Sequence, residues 1–328
     1  MGTETDAIDA ALLDLLQGSF PVVSRPFEEI GRRLGISADE VLGRVGRLKS
    51  EHIIRQISAI FDSSALGYRG ALAAFAVDTD RLDAVASLVS AHQGVSHCYS
   101  RACEYNLWFT ITLAPGSDLE GEVAKLASAG SVDRLMILPA LKVYKIGVFL
   151  PMGEEPGVSG VPGSDRVVPQ RITLTESDRA AVRALQQDMP LLDSPFEAMG
   201  EPEGLLEDDL LKRAAGFLET GAMRRFAAVL RHTNAGYTAN AMVCWRVEPG
   251  RVDEVGAVFA SHSVVSHCYE RPTYPDWPYS LYTMIHCKEA ADLGLVIEGL
   301  AATPGVEGCL ILHTVREYKK SRVLYFVP

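Results

Sequence analysis

The chain repeats itself, and this constrains the fold more than any local pattern does. Val95-Ser96-His97-Cys98-Tyr99-Ser100-Arg101 returns as Val265-Ser266-His267-Cys268-Tyr269-Glu270-Arg271, 170 residues later. Pro26-Phe27-Glu28 returns as Pro195-Phe196-Glu197 and Gly67-Tyr68 as Gly236-Tyr237, both at an offset of 169. Tyr144-Lys145 returns as Tyr318-Lys319 at 174, the drift coming from a Pro-Thr-Tyr-Pro-Asp-Trp-Pro insertion after Arg271. An offset that drifts by so little marks a tandem duplication. A chain of 328 residues has room for several domains, and the duplication assigns them in matched pairs.

In the first copy, residues 6–17 place Ile8, Leu12, Leu15 and Leu16 on one helical stripe. Pro26 opens a second helix that stops at Gly35, with Phe27, Ile30 and Leu34 facing inward. Ser37 and Glu40 form a capping box that starts a third, with Val41, Val45 and Leu48 as its buried line. A β-rich run, Ile53 to Phe61, follows as a hairpin-like wing. Three short helices, a Gly-Ile-Ser turn and a wing describe a winged helix-turn-helix. From Gly70 the pattern becomes strand (Gly70–Val77), helix (Asp80–Ala91) and a strand pair within 95–113. A helix (Ser117–Ser128, opened by Ser117 and Glu120) and a last strand (Leu135–Phe149, interrupted near Pro139) complete it. That β-α-β-β-α-β order is ferredoxin-like, an antiparallel sheet with both helices on one face.

The expected class is α+β, a tandem duplication of winged helix-turn-helix plus ferredoxin-like domain. The expected division is a winged helix-turn-helix at 1–62, a ferredoxin-like domain at 63–150, and a Gly/Pro-rich linker at 151–171. A degenerate winged helix-turn-helix at 172–233 and a second ferredoxin-like domain at 234–328 follow. The bare sheet faces are expected to cover each other across a pseudo-twofold axis, giving an intrachain pseudo-dimer.

A net charge of −11 argues against a protein built chiefly to hold nucleic-acid phosphate. The third helix balances Arg44, Arg47 and Lys49 against Asp39, Glu40 and Glu51. Its counterpart, 206–219, carries Glu207, Asp208, Asp209 and Glu219 against Lys212 and Arg213, which phosphate would repel. There Glu-Pro-Glu-Gly stands in place of the Gly-Ile-Ser turn. DNA binding is not expected. The six cysteines (Cys98, Cys103, Cys244, Cys268, Cys287, Cys309) have no paired or metal-finger spacing, and read as buried thiols in a reducing compartment. An acidic N-terminus and the absence of any apolar run near the ~20 residues that span a bilayer imply a soluble, cytoplasmic protein without membrane attachment.

His97, Tyr99 and Arg101 alternate along one strand and should share a sheet face, as should His267, Tyr269 and Arg271. Two imidazoles and two guanidiniums in matched places suggest a site for an anion. A lone strand histidine is more often a hydrogen-bonded core residue; recurrence beside Tyr and Arg in both copies favours function.

The layout resembles the Lrp/AsnC transcription regulators. Within that group, His97-Cys-Tyr-x-Arg-x3-Tyr-Asn-Leu-Trp-Phe-Thr110 is similar to one subunit of sirohaem decarboxylase. The runs Arg224–His232 and His267–His286, the latter containing Pro-Asp-Trp-Pro-Tyr-Ser, resemble its partner subunit. The resemblance implies a fusion of the two subunits, of the type found in haem d1 biosynthesis and the alternative haem pathway. It implies loss of CO2 from the C12 and C18 acetates of sirohaem to give 12,18-didecarboxysirohaem, with no cofactor beyond the iron tetrapyrrole substrate. Sirohaem is the implied partner, with other haem d1 biosynthesis proteins as candidates and further homo-oligomerisation left open.

Sirohaem's carboxylates need cations, and Arg binds them bidentately where Lys does not. The candidates are Arg55, Arg101, Lys142 and Lys145 from the first copy, and Arg224, Arg225, Arg231, Arg271, Arg316 and Lys319 from the second. Trp108 and Trp277, with Tyr99 and Tyr269, are candidate ring contacts. Decarboxylation leaves carbanion character that a neutral-pH acid must quench, a task suited to histidine. His97 and His267 are the candidate acids or iron ligands, and His232 is a further ligand candidate. Tyr99, Tyr269 and Tyr144 are candidates to orient them. The sequence leaves open which histidine meets iron, and whether one pocket or two react. The rival readings are an Lrp/AsnC-type regulator sensing a tetrapyrrole and a haem carrier without catalysis.

Overall fold

A computed structural model describes residues 6–147, 169–231 and 239–327. The expected linker falls outside these, apart from Pro169 to Arg171. The first copy runs α1 (Ala7–Gly18), α2 (Pro26–Leu34), α3 (Ala38–Ser50) and β1 (Ile54–Phe61). It continues through β2 (Arg69–Ala76), α4 (Leu82–Ala91), β3 (Val95–Arg101), β4 (Leu107–Leu113), α5 (Leu119–Ala129), β5 (Arg134–Pro139) and β6 (Lys142–Ile146). The second copy runs α6 (Glu176–Leu185), α7 (Pro195–Gly200), a 3-10 turn (Glu201–Glu203), α8 (Glu207–Glu219) and β7 (Met223–Leu230). Then come β8 (Ala239–Val247), α9 (Val252–Ser261), β9 (Val265–Glu270), β10 (Leu281–Cys287), α10 (Ala290–Ala301), β11 (Val306–Leu312) and β12 (Thr314–Lys320). Contacts divide the chain into two units, each holding matched parts of both copies. One comprises Met1–Gly67, Phe149–Gly236 and Leu324–Pro328; the other comprises Tyr68–Val148 and Tyr237–Val323.

The first unit contains both helix-turn-helix trios. Helix α1 is held at its start by a reciprocal Asp6/Asp9 capping box, and α3 starts where the Ser37 side chain accepts from Glu40 N–H. The turn of the first trio is tight, because a Cβ on Gly31 would lie 2.6 Å from the Ile36 carbonyl. The second trio has the same turn. A Cβ on Gly200 would lie 2.6 Å from the Leu205 carbonyl, and Gly204 (φ 69°) does what Gly35 (φ 72°) does. The turn thought to be missing is therefore Gly204-Leu205-Leu206, hidden because a 3-10 turn through Pro202 separates it from α7. The wing also departs from expectation. Strand β1 does not fold back as a hairpin; it pairs antiparallel with β7 of the other copy, Ser58 opposite Ala227. A lone strand would leave its backbone groups unpaired, and the duplicate supplies the partner.

The second unit contains two five-stranded sheets, ordered β12-β3-β4-β2-β5 and β11-β8-β10-β9-β6. Each is a ferredoxin-like sheet with one strand from the other copy. After β5 the chain breaks at Ala140 and Leu141, and β6 joins the second copy's sheet beside β9. In return β12 joins the first copy's sheet beside β3. Each sheet buries a helix-side core, Phe75, Val95 and Phe109 in one and Trp245, Phe259 and Val265 in the other. A third core, with Ala74, Trp108, Met136, Leu138, Cys244, Trp277, Tyr282 and Leu312, draws on both sheets. The pseudo-dimer is thus an exchange of strands as well as a contact of faces. The start of helix α5 is capped one residue later than expected, by Asp118 and not Ser117. No helix of the described residues is long and apolar enough to cross a membrane.

Candidate active site

Both repeated motifs lie on inner strands of the second unit's sheets, β3 between β4 and β12, and β9 between β10 and β6. The His97 ring stacks on Tyr99 with centroids 6.2 Å apart, and the Arg101 guanidinium sits 5.1 Å over the Tyr99 ring. In the second copy His267 and Tyr269 are 6.0 Å apart, with Arg271 at 4.9 Å over Tyr269. Alternation has produced a His–Tyr–Arg ladder in each sheet, bound by ring stacking and cation–π contact. The intervening Cys98 and Cys268 point to the helix-side cores.

Of the ladder arginines, Arg101 is buried and Arg271 half-buried. Arg101 donates to the Leu312 carbonyl at 2.9 Å and to Thr314 Oγ1, and Arg271 donates to the Leu138 carbonyl. Leu138 and Leu312 are matched positions where the chain leaves one sheet for the other, so each arginine ties down a crossover. Burial pulls both pKa values down, though guanidinium remains charged at neutral pH. No described carboxylate forms an ion pair with either arginine, and the Nε of each has no partner among the described residues. A buried cation without a counter-ion is costly until an anion reaches it.

The other predicted cations of this unit are placed differently. Lys145 Nζ donates to the His262 carbonyl at 2.7 Å, closing the C-terminus of α9. Lys319 Nζ does the same for α4 through Ser90 and His92. Lys142 pairs with Asp253 and Arg316 with Asp83, both on helices. All four therefore serve the helix side of the sheets, away from the ladders. The sequence marks these four as cations but does not say which face of the sheet they take, and the register shifts in β6 and β12 put Lys145 and Lys319 on the helix side as well. Tyr144 is on the same side, donating to Asp253. Trp108 and Trp277 are 1% and 4% exposed and pack on each other at 5.4 Å. Their N–H groups are engaged by the Tyr105 carbonyl and Tyr282 hydroxyl, so both belong to the core.

The remaining candidates belong to the first unit. Arg55 and Arg225 are half-buried on the β1–β7 ribbon and Arg231 is exposed at its end. Arg224 is paired with buried Asp62. His232 lies outside the described residues.

The Pro-rich insertion also has a structural task. Tyr274 Oη accepts from Ile137 N–H at 3.1 Å and donates to the Ile137 carbonyl at 2.9 Å, closing the exposed edge of β5. Asp276 accepts from Tyr105 Oη at 2.7 Å and pairs with Arg134 at 2.8 Å. Sequence reasoning passed over the two serines beside the histidines. Ser96 Oγ is 3.0 Å from His97 Nδ1 and Ser266 Oγ 2.9 Å from His267 Nδ1. Strict alternation sends adjacent side chains to opposite faces, so no sequence pattern pairs them.

On α3 the basic residues are already spent. Arg44 bonds Asp6, Asp9 and Glu40, Arg47 bonds Asp9 and Glu51, and Lys49 bonds Asp188. A helix whose cations are neutralised in place has little to offer DNA phosphates.

The chain is similar to known proteins over nearly its whole length. The AsnC-like ligand binding domain family matches residues 65–145 and 234–319, and the siroheme decarboxylase NirDL-like HTH domain matches 9–55 and 178–224. A siroheme decarboxylase of Hydrogenobacter thermophilus is 36% identical over 99% of this chain and 96% of its own length. The chain belongs to the sirohaem decarboxylase family. A crystal structure of the siroheme decarboxylase NirDL in co-complex with an iron-uroporphyrin III analogue superposes with a TM-score of 0.76. That match has 32% identity and covers 98% of this chain and 95% of that one. A siroheme decarboxylase beta subunit of Oleidesulfovibrio alaskensis is 41% identical over 47% of this chain and 98% of its own length. A separate subunit of the family is thus half the length of this duplicated chain.

Proposed function

We propose that the chain is a carboxy-lyase that removes CO2 from the C12 and C18 acetates of sirohaem, giving 12,18-didecarboxysirohaem. The observation that carries the reading is the recurrence of one His–Tyr–Arg ladder in both sheets of a chain of this family. In each decarboxylation the bond to the carboxylate carbon breaks and CO2 leaves. The electron pair stays on the exocyclic carbon, spread into the macrocycle, until a proton completes the methyl group. His97 and His267 supply that proton or meet the substrate iron, since imidazole changes charge near neutral pH. Tyr99 and Tyr269, stacked on the imidazoles, orient them. Arg101, buried, and Arg271, half-buried, are cations suited to a substrate carboxylate, because its charge offsets theirs. The iron tetrapyrrole is the substrate, and the chemistry needs no oxidant.

The fusion places what relatives carry on separate subunits in one chain, so a single polypeptide is expected to be active. The regulator reading is disfavoured by the neutralised α3 and the acidic α8. The carrier reading differs only in outcome, binding without loss of mass. Turnover and sirohaem affinity of His97→Ala and His267→Ala test the assignment. Loss of turnover with retained binding supports it, and wild-type rates in both variants contradict it.

A further inference from the structure

The ladder histidines are not equivalent, and the difference lies in the serine before each. In a regular strand Ser266 and His267 would project to opposite faces. Here Met284 stands opposite His267 and Ile285 opposite Val265, so Ser266 is the extra residue of a β-bulge. The bulge turns the buried serine hydroxyl to 2.9 Å from His267 Nδ1. The first copy has the same slip, Thr110 opposite His97 and Ile111 opposite Val95, with Ser96 Oγ 3.0 Å from Nδ1.

A serine hydroxyl has one proton to give. Ser266 Oγ gives it to the Met284 carbonyl, 3.1 Å away. Its contact with His267 can then be made only as acceptor, so Nδ1 must carry the hydrogen. We infer that Ser266 is a positioning residue that holds His267 in the Nδ1–H tautomer and assigns the lone pair to Nε2. This rests on the ladder being the reacting site, and it adds which atom of His267 serves there. A ring nitrogen can bind metal only through its lone pair, so Nε2 is the atom that can meet the substrate iron. Among the described residues the Ser96 hydroxyl bonds only His97. It can act as donor or acceptor, and the first copy lacks the lock. The serine thus sets the histidine tautomer in the second copy, whereas in the first copy the serine by itself does not.

The test is two-bond 1H–15N correlation spectroscopy on the full chain labelled at histidine nitrogen, at a pH where the rings are neutral. Resonances are assigned by their loss in His267→Asn and His97→Asn. The expected result is His267 as a single Nδ1–H tautomer in the wild type, displaced in Ser266→Ala and restored in Ser266→Thr. A His267 in the Nε2–H form, or a Ser266→Ala spectrum unchanged at His267, overturns the inference. Should Ser266→Ala not fold, the wild-type spectrum alone decides. Turnover is read separately: Ser266→Ala should lower kcat by about 10-fold with little change in KM, as for residues that orient a ligand histidine, while Ser96→Ala has the smaller effect. If the tautomer is as inferred but His267→Asn still releases CO2 at the wild-type rate, the active-site reading fails and the Ser266 assignment stands.

Discussion

The two copies share a frame and diverge at its margins. Ladder geometry, strand exchange, the crossover arginines and the lysines that close α4 and α9 all recur at matched positions. What differs is local. The first copy's outer strand β5 is closed by Tyr274 of the other copy's insertion, whereas no matching insertion follows Arg101. In the first unit Arg224 and Arg55 are matched positions, but Asp62, the partner of Arg224, is matched by Arg231. One end of the β1–β7 ribbon thus holds the Arg224–Asp62 pair, and the matched positions at the other end are Arg55 and Arg231. Duplication preserves what the fold needs from both halves, and divergence collects where one half alone suffices.

The sharpest way to break this comparison is at the histidines. His97→Ala and His267→Ala should each lower turnover on sirohaem by roughly 10²- to 10⁴-fold, the range for a lost acid–base group. Equal losses would mean that both ladders take part, and a loss in only one would assign the chemistry to that copy. Next comes the insertion: Trp277→Ala should destabilise the second unit by about 3 kcal/mol or more through the cavity left against Trp108. Hydrogen exchange should rise more at β5 than at β11, an outer strand with no such cover among the described residues.

In the first unit, Arg224→Ala should cost about 3 kcal/mol by stranding Asp62. Burial pushes the Asp62 pKa up, but the Ser64 hydroxyl, the Arg224 charge and the Ala65 N–H outweigh it, and the net shift is down. A folded value below the unfolded one, about 3.9, means stability present above that pH and lost as pH falls through the folded value. Acid unfolding of Arg224→Ala should therefore begin at higher pH than in the wild type, read by circular dichroism. The smallest effect belongs to Tyr274→Phe, about 1 kcal/mol, seen as faster exchange of the Ile137 amide.

Most of the frame was legible because duplication let each half check the other. Helix starts, the β-α-β-β-α-β order and the ladder alternation are local properties that recur at fixed offsets. The strand exchanges were not legible, since no local pattern tells β6 which β-edge it joins once Pro139 interrupts the strand. The helix-side positions of Lys145 and Lys319 were not legible for the same reason that Ser96 and Ser266 were missed. Bulges shift which face a side chain takes, and a sequence does not display them. Trp108 and Trp277 looked like ring platforms because an aromatic in a core and one in a pocket have the same pattern.

The most direct test is anaerobic incubation of the purified chain with sirohaem, followed by the mass of the extracted tetrapyrrole. The account predicts a product lighter by two CO2, with a transient species lighter by one. Sirohaem bound but recovered at its original mass would contradict it.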